Sequence, residues 1–144
     1  MEINTRDFGL IQVDEEAIYE FPEGVYGFEG DKRFAVLERP IEDNVSLLYL
    51  QSVENQIPCF LVFDPTKYYP SYTPELDAED LKEFETQDLE ELIFLVIATV
   101  PDSVEELSMN VKSPIVLDPK TKKAKQVILK NKDYGIRYQP FKIS

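Results

Sequence analysis

Short apolar runs, each stopped by a proline, a glycine or an aspartate, constrain this chain to a β architecture. Residues 10–13, 17–21, 34–38, 46–51 and 59–63 are all too short for packed helices and carry turn residues on their flanks. The strongest strand signal is 92–100, which ends at Pro101. The run at 34–38 is expected to stop before Pro40, because proline cannot continue a central ladder. Further on, 108–111 and 114–117 are expected strands. Asp118-Pro119-Lys120-Thr121 has the aspartate and proline of a tight turn. Residues 126–129 would return from it to complete a hairpin, and 134–138 would add a last short strand. About ten short strands with one or two short helices predict a mostly β fold, an antiparallel sheet closed into a barrel or stacked as a sandwich. No linker divides residues 1–144, which are read as a single small domain.

The strands are interrupted by one unusual stretch, Phe21-Pro22-Glu23-Gly24-Val25-Tyr26-Gly27-Phe28-Glu29-Gly30. Glycine admits positive φ and close approach, and proline removes a donor, so an irregular loop is expected here. Its glycine spacing fits neither the dinucleotide fingerprint nor the P-loop, and Glu23, Glu29 and Asp31 would repel a phosphate. The rings either plug the end of the sheet or meet a partner. Phe21 is assigned to the plug, Tyr26 and Phe28 to the partner. The second loop of interest, 64–72, carries two prolines and three tyrosines.

One helix is expected, starting at an Asp77 cap and running through 78–85, with Leu81 and Phe84 toward the core. Its carboxylates continue past its end, where the helix dipole disfavours them. Residues 73–106 hold 12 acids against the single base Lys82, whereas 107–144 hold 9 bases against 2 acids. The acids of 75–91 either form a solvated face balanced by that basic third, or dock a basic segment. The lysines at 120, 122, 123, 125, 130 and 132 are read as guards of a hairpin edge.

With a net charge of −13, the chain would repel a polyanion, so direct nucleic-acid binding is not expected. The absence of histidine removes His-based triads and most zinc sites. The lone Cys59 lies in an apolar run and is expected to be a buried, inert thiol. No catalytic, metal or cofactor site is expected, and the chain is read as a non-enzyme. The N-terminus lacks a signal peptide's basic region and apolar run, and 92–100 is too short to span a bilayer. A cytoplasmic protein without a membrane partner is therefore expected.

Several motifs recur in order along the chain. They are Ile3-x-Thr5, Phe8-Gly9-x-Ile11-x-Val13, Phe21-Pro22-x-Gly24-x-x-Gly27-Phe28-Glu29 and Leu50-Gln51-Ser52. Next come Phe60-x-Val62-x-x-Pro65, Asn110-x-x-x-Pro114-Ile115-Val116 and Gln126-Val127-Ile128-Leu129, with Tyr134 and Arg137 beyond. Together they resemble the flagellar assembly factor FliW family. Tyr26 departs from the family's proline, and Lys112-Ser113 from its apolar-alanine pair. The resemblance implies a small barrel-like β domain and a non-enzymatic regulator of flagellum assembly. Such a protein binds flagellin, and binds and antagonises CsrA, an RNA-binding translational repressor. Free factor sequesters the repressor; accumulated flagellin occupies the factor and restores repression.

For this chain, Glu75, Asp77, Glu79, Asp80, Glu83 and Glu85 are the expected contacts for the basic repressor. Tyr26, Phe28, Tyr68 and Tyr69 are the exposed rings expected to meet an amphipathic flagellin helix. The alternatives are an acidic nucleic-acid mimic, or a general chaperone for a basic or amphipathic helical partner.

Overall fold

The structure, a computed structural model, describes residues 1–43 and 45–142. Its strands are β1 (Glu2–Asn4), β2 (Leu10–Gln12), β3 (Ile18–Glu20), β4 (Arg33–Glu42), β5 (Val45–Ser52), β6 (Cys59–Phe63), β7 (Ile93–Thr99), β8 (Ser108–Met109), β9 (Ile115–Asp118) and β10 (Lys123–Gln126). Neighbours run β6-β5-β4-β3-β10-β9-β7, and β7 pairs back onto β6, which closes a seven-stranded barrel. The barrel reading therefore holds over the sandwich. Every pairing is antiparallel except that of β10 with β3, made at Lys123 and Glu20. β8 extends the sheet beside β7, and β1 and β2 form a separate hairpin.

The barrel interior is filled by Phe21, Phe34, Leu50, Val62, Ile115 and Leu117, among others. A second cluster lies outside it, where Leu81, Phe84 and Leu92 pack on Val96, Met109, Val116 and Leu129. Residues 73–92 thus form a strap held against the barrel by its own apolar side chains.

Several expectations are corrected. The helix over 78–85 is only a 3-10 turn at Ala78–Leu81. Leu81 ends this turn and Phe84 follows three residues on, its N–H bonded to Leu81 O at 3.0 Å, and both are still buried in the core. The α-helix instead lies in the tyrosine loop, as α1 (Pro65–Tyr68). There Asp64 accepts from the Thr66 N–H at 3.0 Å, and Pro65 occupies the first turn, where its missing donor costs nothing.

β4 runs on through Pro40, which pairs with Ser46. Past Ala35 it has left β3 and is flanked by β5 alone, so Pro40 sits on an edge that tolerates it. The hairpin return is Lys123–Gln126 rather than 126–129. The later residues are held one at a time, through Val127 N–H to Pro114 O and Leu129 N–H to Lys112 O. The segment 134–138 is not a strand; it makes one isolated bridge, Tyr138 to Met109. No helix among the described residues is long and apolar enough to cross a membrane.

Candidate partner-binding surfaces

The glycine-aromatic loop is built by backbone constraints at two glycines. Gly24 has φ +68°, and a Cβ there would lie 2.6 Å from Glu29 Cα. Gly27 has φ +88°, and its N–H donates to the Glu29 carboxylate at 2.6 Å. The loop is pinned to the barrel by Gln126, whose Oε1 accepts from Tyr26 N–H at 2.9 Å while its Nε2 donates to Ser113 O. At its far end Asp31 is buried and accepts from Ser52 and Asn55.

These ties set the fate of each ring. Phe21 is fully buried, edge-on to Phe34 with centroids 5.0 Å apart, and fills the barrel as expected. Tyr26 is 55% exposed and Phe28 39% exposed, the latter resting edge-on against Phe60. Tyr26 borders a groove of about 750 Å³ that runs to Ile136, Arg137 and Gln139.

Tyr68 and Tyr69 do not join them, which corrects their reading as exposed rings. Tyr68 is wedged between Phe63 and Phe141, and Tyr69 lies 4.7 Å from both Tyr134 and Tyr138. Both are half-buried members of an aromatic cluster. Beside them the Tyr72 hydroxyl donates to Val111 O, and burial pushes its pKa far above the ordinary tyrosine value.

The strap is stitched to the C-terminal third along its length. Asn131 bonds Thr73 O and Glu75 N–H, both at 2.8 Å, in the manner of a paired strand residue. The Tyr134 hydroxyl accepts from Thr73 N–H at 2.7 Å, and the Lys130 N–H donates to Glu75 O. Buried Asp118 uses one oxygen for Lys120 N–H and the other for Glu85 N–H, joining the hairpin turn to the strap.

Ion pairs add a second layer. Lys130 pairs with Asp77 at 2.6 Å, Lys82 with Glu79 at 2.6 Å, and Lys120 with Glu91 at 3.7 Å. Lys125 is clamped between Glu83 at 3.4 Å and Glu23 of the aromatic loop at 3.3 Å. Burial lowers the Lys125 pKa, yet these two carboxylates more than offset it and leave the value raised.

Lys122, Lys123 and Lys125 are therefore not edge guards. Lys123 and Lys125 lie on β10, which has β3 and β9 on its two sides, and Lys122 and Lys123 pair with Glu16 and Glu20. Half the expected acidic face is committed in the same way. Asp77, Glu79 and Glu83 each face a lysine, whereas Glu75, Asp80 and Glu85 have none within 4.0 Å among the described residues. Asp80 is turned inward to accept from Asp77 N–H.

Sequence reasoning missed Asp118, Lys125, Gln126 and Asn131 as organisers. Only the Asp118-Pro119 turn hinted at one of them. Among the described residues no three His, Cys, Asp or Glu side chains converge as a metal site. Cys59 is buried, and burial raises its thiol pKa.

A family model described as "FliW protein" matches residues 2–140. The flagellar assembly factor FliW of Thermoanaerobacter pseudethanolicus is 36% identical over 138 residues, covering 96% of this chain and 91% of its own. That of Caldanaerobacter subterraneus subsp. tengcongensis is 37% identical over 139 residues, with 96% and 91% covered. A crystal structure of the flagellar assembly factor FliW superposes with a TM-score of 0.88 at 29% identity, covering 100% of this chain and 99% of that one.

Proposed function

This chain belongs to the FliW family, and from that membership we propose that it is a non-enzymatic, cytoplasmic regulator of flagellum assembly. It binds flagellin, and it binds and antagonises a CsrA-type translational repressor, so that scarce flagellin frees it to lift repression of flagellin translation. It takes no cofactor and touches neither nucleic acid nor membrane directly. The observation that carries this reading is the family match over residues 2–140, joined by relatives named flagellar assembly factor at more than a third identity.

The charge distribution supports the repressor half. A repressor that holds RNA must be basic, and a chain of net charge −13 attracts it and speeds encounter. Within the expected set, the exposed Glu75 and Glu85 serve contact most directly, whereas Asp80 is engaged with Asp77 N–H. Asp77, Glu79 and Glu83 must first exchange a lysine for the partner's cation. Tyr26 and Phe28 serve the flagellin half, since they present apolar area at low entropic cost. Tyr68 and Tyr69 support that surface from within the aromatic cluster.

A three-component pull-down tests the reading. Tagged chain should retain purified repressor, and added flagellin should release it. A chain that captures neither protein, or that holds both without mutual effect, overturns it.

A further inference from the structure

At the far end of the strap Glu91 still meets Lys120 at 3.7 Å, but Asp88 and Glu90 meet no lysine among the described residues, and an apolar groove opens. The groove, of about 560 Å³, lies between α1 and the 3-10 turn Leu89–Glu91, over the start of β7. Its walls are Leu48, Tyr72, Leu89, Leu92 and Phe94, with Ile93 41% exposed at the mouth. Asp64 and Glu90 stand on its rim, and Asp88 is two residues away with one oxygen spent on capping Glu90 N–H. None of the three has a lysine or arginine within 4.0 Å among the described residues. Lys67 is the single cation of the lining. An apolar channel with carboxylates on its rim is complementary to one kind of segment, apolar on one face and cationic beside it.

We propose that this groove, with Ile93 as its apolar contact and Asp64, Asp88 and Glu90 as its charged rim, docks a basic amphipathic segment of a protein partner. The proposal rests on the reading above for the partner's positive charge, and adds a place outside the 75–85 acids. Those acids supply the long-range field, and the groove supplies the desolvated contact that governs dissociation. Tyr72 anchors the groove wall through its bond to Val111 O, so the channel is already formed without an occupant.

The probe is a labelled amphipathic peptide of leucine and lysine, with a scrambled peptide of the same composition beside it, followed by fluorescence anisotropy. The native chain should bind the amphipathic form about tenfold more tightly than the scrambled one. Ile93→Asp and Glu90→Lys should each weaken it about fivefold or more, while Glu15→Lys, exposed and outside both the groove and the expected acidic contacts, should change it less than about twofold. Glu90 is solvent-exposed, so Glu90→Lys keeps the test valid if Ile93→Asp disturbs folding. Absent binding, equal binding of the scrambled peptide, or equal losses in all three variants overturns the groove. The purified repressor, titrated in parallel, separates the two ideas. Native binding that neither groove variant weakens rejects the groove and keeps the regulator reading, whereas no native binding rejects that reading.

Discussion

The two ends of the strap carry similar densities of carboxylate, but most of the acids at one end are paired and most at the other are not. From 75 to 83 Asp77, Glu79 and Glu83 are met by Lys130, Lys82 and Lys125, and the apolar residues beside them, Leu81 and Phe84, are buried. From 88 to 93 Glu91 alone meets a lysine, Lys120 at 3.7 Å, while Asp88 and Glu90 face solvent without a cation among the described residues and Ile93 stands open beside them. The difference shows what an acidic run can do in one chain. Where lysines from the C-terminal third arrive, the charge holds a segment onto the barrel; where they do not, it remains available to a partner.

The largest break of this contrast is in stability. Phe84→Ala should cost about 3–5 kcal/mol in denaturant unfolding, because it removes a buried ring from the strap's packing. Ile93→Ala, at the open end, should cost well under half as much. Next, Asp118→Ala should cost about 1–3 kcal/mol, since the N–H groups of Lys120 and Glu85 lose their acceptor. Asp118→Asn keeps one oxygen and should cost less.

Smaller still is Lys125→Met, expected to cost about 1 kcal/mol by leaving Glu23 and Glu83 without their shared cation. The raised pKa of Lys125 gives this effect a pH signature. Its contribution is fully present below the ordinary lysine value of about 10.4 and is lost as pH rises past it through the higher folded value. Alkaline unfolding of the Lys125→Met chain should therefore be shallower than that of the native chain. Smallest is Glu90→Gln, which should shift stability by no more than about 0.5 kcal/mol.

The β architecture was legible because each run was short and its flanking turn residues were explicit. The barrel closure was not, since the pairing of β6 with β7 joins residues 33 to 37 positions apart and leaves no local mark. Phe21 was readable as a plug from its place between a strand and a glycine loop. Tyr68 and Tyr69 were misread because their partners Tyr134, Tyr138 and Phe141 come from the other end of the chain. The 77–85 segment had a helical cap and spacing, but tertiary bonds such as Glu85 N–H to Asp118 took its backbone elsewhere. The division of acids into matched and unmatched depended on where the lysines of the distant hairpin land. Composition showed both charge groups and not their pairing.

One titration tests that division directly. Asp77→Asn/Glu83→Gln and Asp88→Asn/Glu90→Gln remove the same net charge from the two ends of the strap. Each is titrated with purified repressor at low salt, alongside its unfolding midpoint. The expected result is a loss of about tenfold in affinity, with an unchanged midpoint, for Asp88→Asn/Glu90→Gln. Asp77→Asn/Glu83→Gln should mainly lower the midpoint. Equal affinity losses in the two, or a larger loss at Asp77 and Glu83, contradicts the division and leaves only bulk attraction between opposite charges.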